Sequence, residues 1–145
     1  MNTILLKESD LTGTIFEQHF VELERLSQKS QRTLDYILNV ICIKHNVTPE
    51  EVKSQSRQGN IIEARFAFMF IAHEIDLINA FRRKNTLSGV GRFINRDHVT
   101  VIHGIKKVTY YCKDLRYRKD LENCISCIFG DEGIKTFDNY IKKNI

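Results

Sequence analysis

The side chains that could do chemistry are concentrated in one short stretch of this 145-residue chain. Residues 96–100 read Arg-Asp-His-Val-Thr, and His103 follows three residues later. Histidine, threonine and aspartate can hydrogen-bond to base edges and phosphates, and histidine and aspartate also bind metals or transfer protons. The stretch therefore has three candidate chemistries: polyanion recognition, metal binding and acid–base catalysis.

Metal binding and catalysis fit the spacing poorly. His98 and His103 lie five residues apart, whereas a metal-binding pair on one helix face is four apart. Asp97 and His98 are adjacent, so on a helix they diverge by about 100° and do not cooperate as an acid–base pair. No serine or cysteine nucleophile with a matching base stands out. We therefore predict no catalytic residue, no metal and no cofactor, and a protein that is not an enzyme.

The four cysteines do not have the spacing of a complete zinc site. Cys124 and Cys127 have the spacing of half a zinc site, but the chain offers no second close pair. Cys42 and Cys112 lie among apolar residues. We interpret all four as free, buried thiols.

Positive charge is concentrated in the block that contains this stretch. Residues 77–120 hold eleven basic and three acidic side chains, a net of +8, whereas residues 1–33, 34–76 and 121–145 have net charges of −1, −2 and −1. Binding to a polyanion such as nucleic acid requires positive charge concentrated in one region, because each contact of a basic side chain with a phosphate releases condensed counterions and so favours binding. A solvated basic surface helix would give the same count, so charge alone leaves both interpretations open.

The elements that must position these residues are predicted to be helices throughout. Apolar residues recur at spacings of three and four from Leu34 to a helix end near His45-Asn46. Thr48, with Pro49 and Glu51, predicts a capping box. Asn60 predicts a second cap, before a long apolar central helix that ends at about Asn79. Further helices are predicted over Leu11–Gln28, Leu121–Ile128 and Gly133–Ile141.

The residues around position 96 read as a helix-turn-helix. Thr86 can cap a short helix, Leu87 to Phe93, and Ile94-Asn95 makes the turn. A second helix is predicted from near Arg96 to about Lys113. In such a motif the first turn of the second helix enters the major groove, where its side chains meet base edges.

This part of the sequence resembles a known family. The run Arg96–His103 is similar to the signature Arg-Asp-His-(Thr or Ser)-Thr-Val-(Leu or Ile)-His of the C-terminal DNA-binding domain of the bacterial replication initiator DnaA. The resemblance starts near Leu34, includes residues 47–53 and 61–65, and continues to about Lys107. It implies an all-α, multi-helix single domain with a helix-turn-helix, of the DnaA C-terminal and Trp-repressor-like type.

The resemblance also implies a set of DNA-binding residues. Arg57 matches a loop arginine that enters the minor groove, and Arg65 matches a DNA-contacting arginine of the central helix. The other matched positions are Arg96, Asp97, His98, Thr100, His103, Lys106 and Lys107, and Val99 lies within the same run as a further candidate contact. Asp97 could instead cap the helix. Arg82, Arg83 and Lys84 lie in a segment longer than its family counterpart and are either phosphate contacts or a charged loop.

Two departures from the family pattern limit what can be carried over. Val99 replaces a hydroxyl residue but keeps a methyl group that could contact thymine, and Phe66 often corresponds to a polar residue. No Gly-x-x-x-x-Gly-Lys-(Ser or Thr) motif is present, so we expect a stand-alone DnaA-like protein that binds no nucleotide. Tyr110, Tyr111 and Tyr117 could stack on bases, but packing on the core is favoured.

We therefore predict sequence-specific binding of double-stranded DNA, in regulation of replication or transcription. The alternative is a protein-interaction module that keeps the fold without reading DNA. Residues 34–113 would form the DNA-binding domain, 1–33 an N-terminal helical extension, and 114–145 a C-terminal extension packed on the same domain. A second copy and a bacterial replication protein are further candidate partners. With no signal peptide and no apolar membrane span, we expect a cytoplasmic protein.

Overall fold

The structure, a computed structural model, describes residues 29–76 and 85–145. Within these ranges the chain forms seven α-helices and one π-helical turn, and no strand, which confirms the predicted all-α class. The helices are α1 (Lys29–His45), α2 (Pro49–Lys53), α3 (Gly59–Phe70), α4 (Leu87–Phe93), α5 (His98–Tyr111), α6 (Leu115–Phe129) and α7 (Asp131–Asn144), with the π-helical turn at Ile71–Ile75. The helix predicted over Leu11–Gln28 lies outside the described residues.

α1 follows the predicted amphipathic pattern but begins earlier. Its apolar stripe, which includes Leu34, Ile37 and Ile41, is buried, and the helix starts at Lys29 rather than Leu34. It ends as predicted, where Asn46 takes a left-handed conformation with φ of 59°, one that asparagine tolerates better than most residues. The stripe packs α1 against α3 and α6.

The capping box at the start of α2 is confirmed. The Thr48 hydroxyl accepts from the Glu51 backbone N–H at 3.1 Å, and the Glu51 carboxylate accepts from the Thr48 N–H at 2.9 Å. Pro49 occupies the first turn, where its missing N–H costs nothing. The helix is short, yet Val52 is fully buried and ties it to the core.

The central helix α3 differs from its prediction at both ends. The predicted cap at Asn60 is wrong: the Gln58 carbonyl already accepts from the Ile61 N–H at 3.1 Å, so Asn60 lies inside the helix. The predicted end at about Asn79 is also wrong, because α-helical geometry stops at Phe70 and the backbone leaves helical geometry at Asp76. There, the Asn85 side-chain amide donates to the Ala72 carbonyl at 2.9 Å.

The last two helices are longer than predicted. The predicted bounds followed the apolar positions of Leu121–Ile128 and Gly133–Ile141, and so missed polar turns at the helix ends. Asp114 caps α6 by accepting from the Arg116 N–H at 2.9 Å, and Gly130, at φ of 71°, separates α6 from α7.

The core is built around α3, which packs against α1 and α5. Phe68 and Phe70 of α3 are fully buried. α7 closes the other side of the core, where Phe137 meets the Phe70 ring edge-on at 6.0 Å between centroids. No helix among the described residues is long and apolar enough to cross a membrane.

Candidate nucleic-acid interface

α4 and α5 form the predicted helix-turn-helix. The turn is Ile94-Asn95, and Asn95 has a positive φ of 62°. The Arg96 N–H donates to the Gly91 carbonyl at 2.8 Å. A Cβ atom on Gly91 would lie 2.6 Å from the Arg96 carbonyl oxygen, so the close approach of α4 to the start of α5 requires glycine at this position.

Asp97 caps α5. Its carboxylate accepts from the Thr100 backbone N–H at 2.9 Å. That hydrogen bond holds the pKa of the Asp97 carboxyl below its ordinary value. Of the two roles predicted for Asp97, capping is the one observed. α5 therefore begins at His98, two residues later than expected.

The exposed face of α5 carries most of the predicted site. One face of the helix is buried through Val101, Gly104 and Val108. The other face exposes His98, Val99, His103, Lys106 and Lys107, with Thr100 partly buried at its edge. Val99 exposes 58% of its surface. The helix thus offers imidazoles, an apolar contact and two ammonium groups along one side.

Arg65 lies inside the protein rather than on this face. It is only 6% exposed. Its guanidinium donates to three backbone carbonyls, those of Val52 at 2.8 Å, Ser54 at 2.8 Å and Glu51 at 3.3 Å. The predicted contact of Arg65 with DNA remains a prediction. What the structure shows is a side chain that fixes the end of α2 and the loop behind it.

Arg96 and Asn95 hold the same loop from the other side. Arg96 donates to the Ser54 carbonyl at 2.6 Å, so this one oxygen accepts from both Arg65 and Arg96. The Asn95 side-chain amide donates to the Lys53 carbonyl at 3.2 Å. We call residues 53–58 the Arg57 loop. The turn of the helix-turn-helix is thereby bonded directly to the loop that carries the predicted minor-groove arginine.

Three arginines, Arg57, Arg65 and Arg96, lie close together at this junction. Arg57 is exposed on the loop. Burial, and then the positive charges of Arg96 and Arg57, lower the pKa of Arg65. Crowded like charges favour an anionic ligand, which would relieve their repulsion. The junction of the Arg57 loop with the start of α5 can therefore attract phosphate.

Other predicted residues have different outcomes. Arg82, Arg83 and Lys84 lie outside the described residues. Three cysteines are buried as predicted, but the prediction for Cys127 is wrong: its thiol is exposed. Three positions from buried Cys124, it faces solvent on α6. The described residues contain no group of three or more His, Cys, Asp or Glu side chains that could hold a metal.

The tyrosines only partly follow the prediction of core packing. Tyr117 packs against the core, but Tyr110 is 64% exposed and Tyr111 is 36% exposed. Sequence reasoning missed Tyr110 as a member of the exposed face of α5, and Lys113 as its neighbour just after the helix ends. The signal was present, because Val99, His103, Lys106 and Tyr110 follow one another at spacings of four, three and four.

The comparison with protein families finds a match over about half of the chain. The family described as bacterial dnaA protein helix-turn-helix matches residues 34–108. This range begins within α1, ends within α5 and contains all the predicted site residues. No solved structure matches the chain.

Individual relatives extend the likeness further along the chain. The chromosomal replication initiator protein DnaA of Bacteroides fragilis is 32% identical over 124 residues, which cover 84% of this chain and 24% of the relative. Its namesakes from Campylobacter jejuni and Lachnoclostridium phytofermentans are each 27% identical, over 69% and 85% of this chain and 20% and 25% of their own lengths. The chain thus spans about a quarter of these relatives. A match of 124 residues also exceeds the resemblance expected from sequence, which stopped at about Lys107.

Proposed function

Because this chain belongs to the family of bacterial DnaA helix-turn-helix domains, we propose that it binds double-stranded DNA in a sequence-specific way. The start of α5 enters the major groove, and Arg57 enters the neighbouring minor groove. The observation that carries this proposal is the exposed face of α5, which begins at an aspartate-capped helix start beside a cluster of arginines.

Each exposed residue of α5 has a role that suits its chemistry. His98 and His103 hydrogen-bond to bases or phosphates, and Val99 contacts a thymine methyl group. Thr100 at the edge of the face donates to a phosphate. Lys106 and Lys107 neutralise phosphates further along the strand. Base contacts set the sequence preference, and the Val99 position, where the family pattern has a hydroxyl, leaves the preferred base at that contact open.

The bonding of Arg65 and Arg96 gives these residues a second role. Both donate to the Ser54 carbonyl, so they position the Arg57 loop relative to α5 while adding positive charge behind it. The spacing between the minor-groove and major-groove contacts is therefore fixed before DNA binds. Preorganisation of this kind lowers the entropic cost of binding.

The biological role follows from the relatives named as replication initiators. The chain regulates replication or transcription by occupying initiator-type sites, in the cytoplasm where bacterial DNA lies, and takes no catalytic step in doing so. This part of the proposal requires DNA footprints in cells that fall in replication or promoter regions. Footprints outside all such regions would contradict it.

Binding and specificity are tested by selecting bound duplexes from a random pool, with wild-type protein and with His98→Ala and Arg57→Ala variants. We expect an enriched motif whose major-groove positions are lost with His98→Ala and whose flanking positions are lost with Arg57→Ala. Loss of one base contact should cost about 1–3 kcal/mol. Lys135→Ala, a change at an exposed residue of α7, serves as the control and should leave the motif intact.

Salt dependence separates DNA binding from the alternative of a protein-interaction module. The logarithm of the duplex association constant should fall linearly with the logarithm of salt concentration. Lys106→Ala should reduce the magnitude of that slope by about one, which corresponds to one phosphate contact fewer, and Lys135→Ala should leave the slope unchanged. Salt-sensitive binding with no enriched motif would contradict sequence specificity but would leave the proposal of DNA binding in place. The absence of binding at low salt would overturn the DNA proposal and favour a protein partner for exposed Val99.

A further inference from the structure

The exposed face of α5 continues beyond the proposed duplex contacts. Tyr110 follows Lys106 by four residues on the same face, and its ring is 64% exposed. From His98 to Tyr110 the helix rises by about 18 Å at 1.5 Å per residue. The major groove is only about 12 Å wide. Tyr110 therefore lies beyond the groove that the start of α5 would occupy.

Tyr110 is the outermost member of a group of three tyrosines, Tyr110, Tyr111 and Tyr117, which we call the tyrosine platform. The rings of Tyr110 and Tyr111 are 6.1 Å apart, and those of Tyr111 and Tyr117 are 5.4 Å apart. Tyr117 anchors the group because it packs against the core, and the same burial raises the pKa of its hydroxyl. The Lys113 ammonium lies 5.2 Å from the centre of the Tyr110 ring.

Two shallow cavities flank the tyrosine platform. One, of about 350 Å³, is lined by Gly59, Ile62, Glu63, Phe66, Tyr111 and Tyr117. The other, of about 390 Å³, lies among the three tyrosines, Lys113 and Asp114. These volumes are in the range that accommodates a small planar group.

The positive charge near the tyrosine platform indicates that its ligand also carries negative charge. Residues 106–119 contain six basic side chains and one acidic side chain, a net of +5. The basic residues are Lys106, Lys107, Lys113, Arg116, Arg118 and Lys119. An exposed aromatic surface within a positive field is the pattern of proteins that bind single-stranded nucleic acid, in which bases stack on rings and cations follow the backbone. Duplex bases are already stacked on one another and cannot use such rings.

We infer that the tyrosine platform binds single-stranded DNA, with unpaired bases stacked on Tyr110 and Tyr111 and phosphates held by Lys113 and its basic neighbours. DNA is the source to which the inference commits, because the platform shares one face of α5 with the proposed duplex interface. A strand that leaves the duplex at the end of the major groove would reach Tyr110 next. The choice of DNA as the ligand thus rests on the proposed function, but binding of a single strand can be measured whether or not the duplex binds.

The test uses the full chain and a single-stranded oligothymidine at low salt. The chain has no tryptophan and five tyrosines, so quenching of tyrosine fluorescence reports stacking directly. Tyr110→Leu removes an aromatic plane and should weaken binding on the order of tenfold, while Tyr110→Phe should keep it. Tyr36→Leu changes another tyrosine, 50% exposed on α1, and should have no effect. Duplex affinity should be unchanged in all three variants.

A second oligonucleotide of equal length, with abasic sites in place of the bases, separates stacking from phosphate contact. We expect it to bind weakly and to leave tyrosine fluorescence unquenched. The inference is overturned if the abasic strand binds as well as oligothymidine, or if Tyr110→Leu binds as tightly as wild type. It is also overturned if oligothymidine does not bind at low salt, whatever the duplex does.

Discussion

Arg65 combines a permanent charge with near-complete burial. Its three carbonyl partners satisfy that charge, since hydrogen bonds to charged groups are stronger than neutral ones. Arg65→Met would keep much of the apolar volume but remove the donor to the Val52 carbonyl, whereas the Glu51 and Ser54 carbonyls keep Ser54 and Arg96 as donors. We expect it to lower the free energy of unfolding by about 1–3 kcal/mol and to weaken duplex binding, because the Arg57 loop loses one of its two arginine anchors.

Arg57→Ala is the matched comparison for Arg65→Met. Arg57 is exposed, so its removal should change stability by no more than about 0.5 kcal/mol while it weakens duplex binding. Denaturant unfolding and duplex titration of both variants would test the distinction. If Arg65→Met weakened binding with no loss of stability, Arg65 would contact DNA directly, as the family resemblance implied.

The stability that Asp97 gives to the start of α5 should depend on pH. The pKa of its carboxyl is lowered by the hydrogen bond from the Thr100 N–H, so the cap stabilises the fold above the ordinary aspartate pKa of about 4 and loses strength as the pH falls below it. Asp97→Ala should lower Tm at neutral pH. Asp97→Asn should lower it less, because asparagine also caps helices well.

Thermal unfolding between about pH 7 and pH 3 would test the role of Asp97. The gap in Tm between wild type and Asp97→Ala should narrow at the acid end. A gap that stayed constant with pH would show that the carboxylate does not act through its ionised form. Duplex selection with Asp97→Asn, which retains a cap, would reveal any additional contact with cytosine.

Among the elements, local signals were predictable from sequence and distant partners were not. The caps at Thr48 and Thr86 were correctly predicted, because each bonds a backbone N–H three residues away. Asn60 was mistaken for a cap because a residue type that favours caps also occurs inside helices. The inward orientation of Arg65 could not be read, since its acceptors lie 11 to 14 residues earlier in the chain.

The candidate site shows the same division between local and distant information. The exposed face of α5 follows from helical spacing alone, which is why His98, His103 and Lys106 were predicted together. The bonds that Arg96 and Asn95 make to the Arg57 loop span 42 residues. They depend on how α2 packs against the turn, and no local pattern encodes that packing.

The crossing of α4 and α5 depends on one small residue. Gly91→Ala would place a Cβ atom 2.6 Å from the Arg96 carbonyl oxygen and 3.0 Å from that of Asp97, so the backbone at the start of α5 must shift. Overpacking of this kind costs about 1–3 kcal/mol. Duplex affinity should fall as well, because the shift moves His98 and the Arg57 loop.

Gly59→Ala provides the control for the crossing. A Cβ atom at this position has no neighbour within 4 Å, and alanine is the better helix former. Its stability should equal or slightly exceed that of wild type, with duplex affinity unchanged. If both glycine variants behaved alike in unfolding and binding, the close contact at Gly91 would not determine the geometry of the motif.

At the scale of the whole molecule, α7 contacts α5, which carries the proposed DNA-binding face, and the central helix α3. The Tyr140 hydroxyl and the Thr109 hydroxyl of α5 are 2.7 Å apart, and the Tyr140 ring meets Phe70 of α3 edge-on at 5.0 Å. Phe137, one turn earlier, is 1% exposed. From these contacts we expect residues 114–145 to unfold together with the helix-turn-helix as a single cooperative unit.

Phe137→Ala tests that cooperativity. The lost ring should lower the free energy of unfolding by about 3–5 kcal/mol. Circular dichroism of the helices and tyrosine fluorescence should shift to one common, lower midpoint, because a two-state fold loses all its structure together. Asp138→Ala, an exposed neighbour on α7, should leave the midpoint where it is. Two separate transitions in Phe137→Ala, with duplex binding retained after the first, would instead make the C-terminal helices an independent unit.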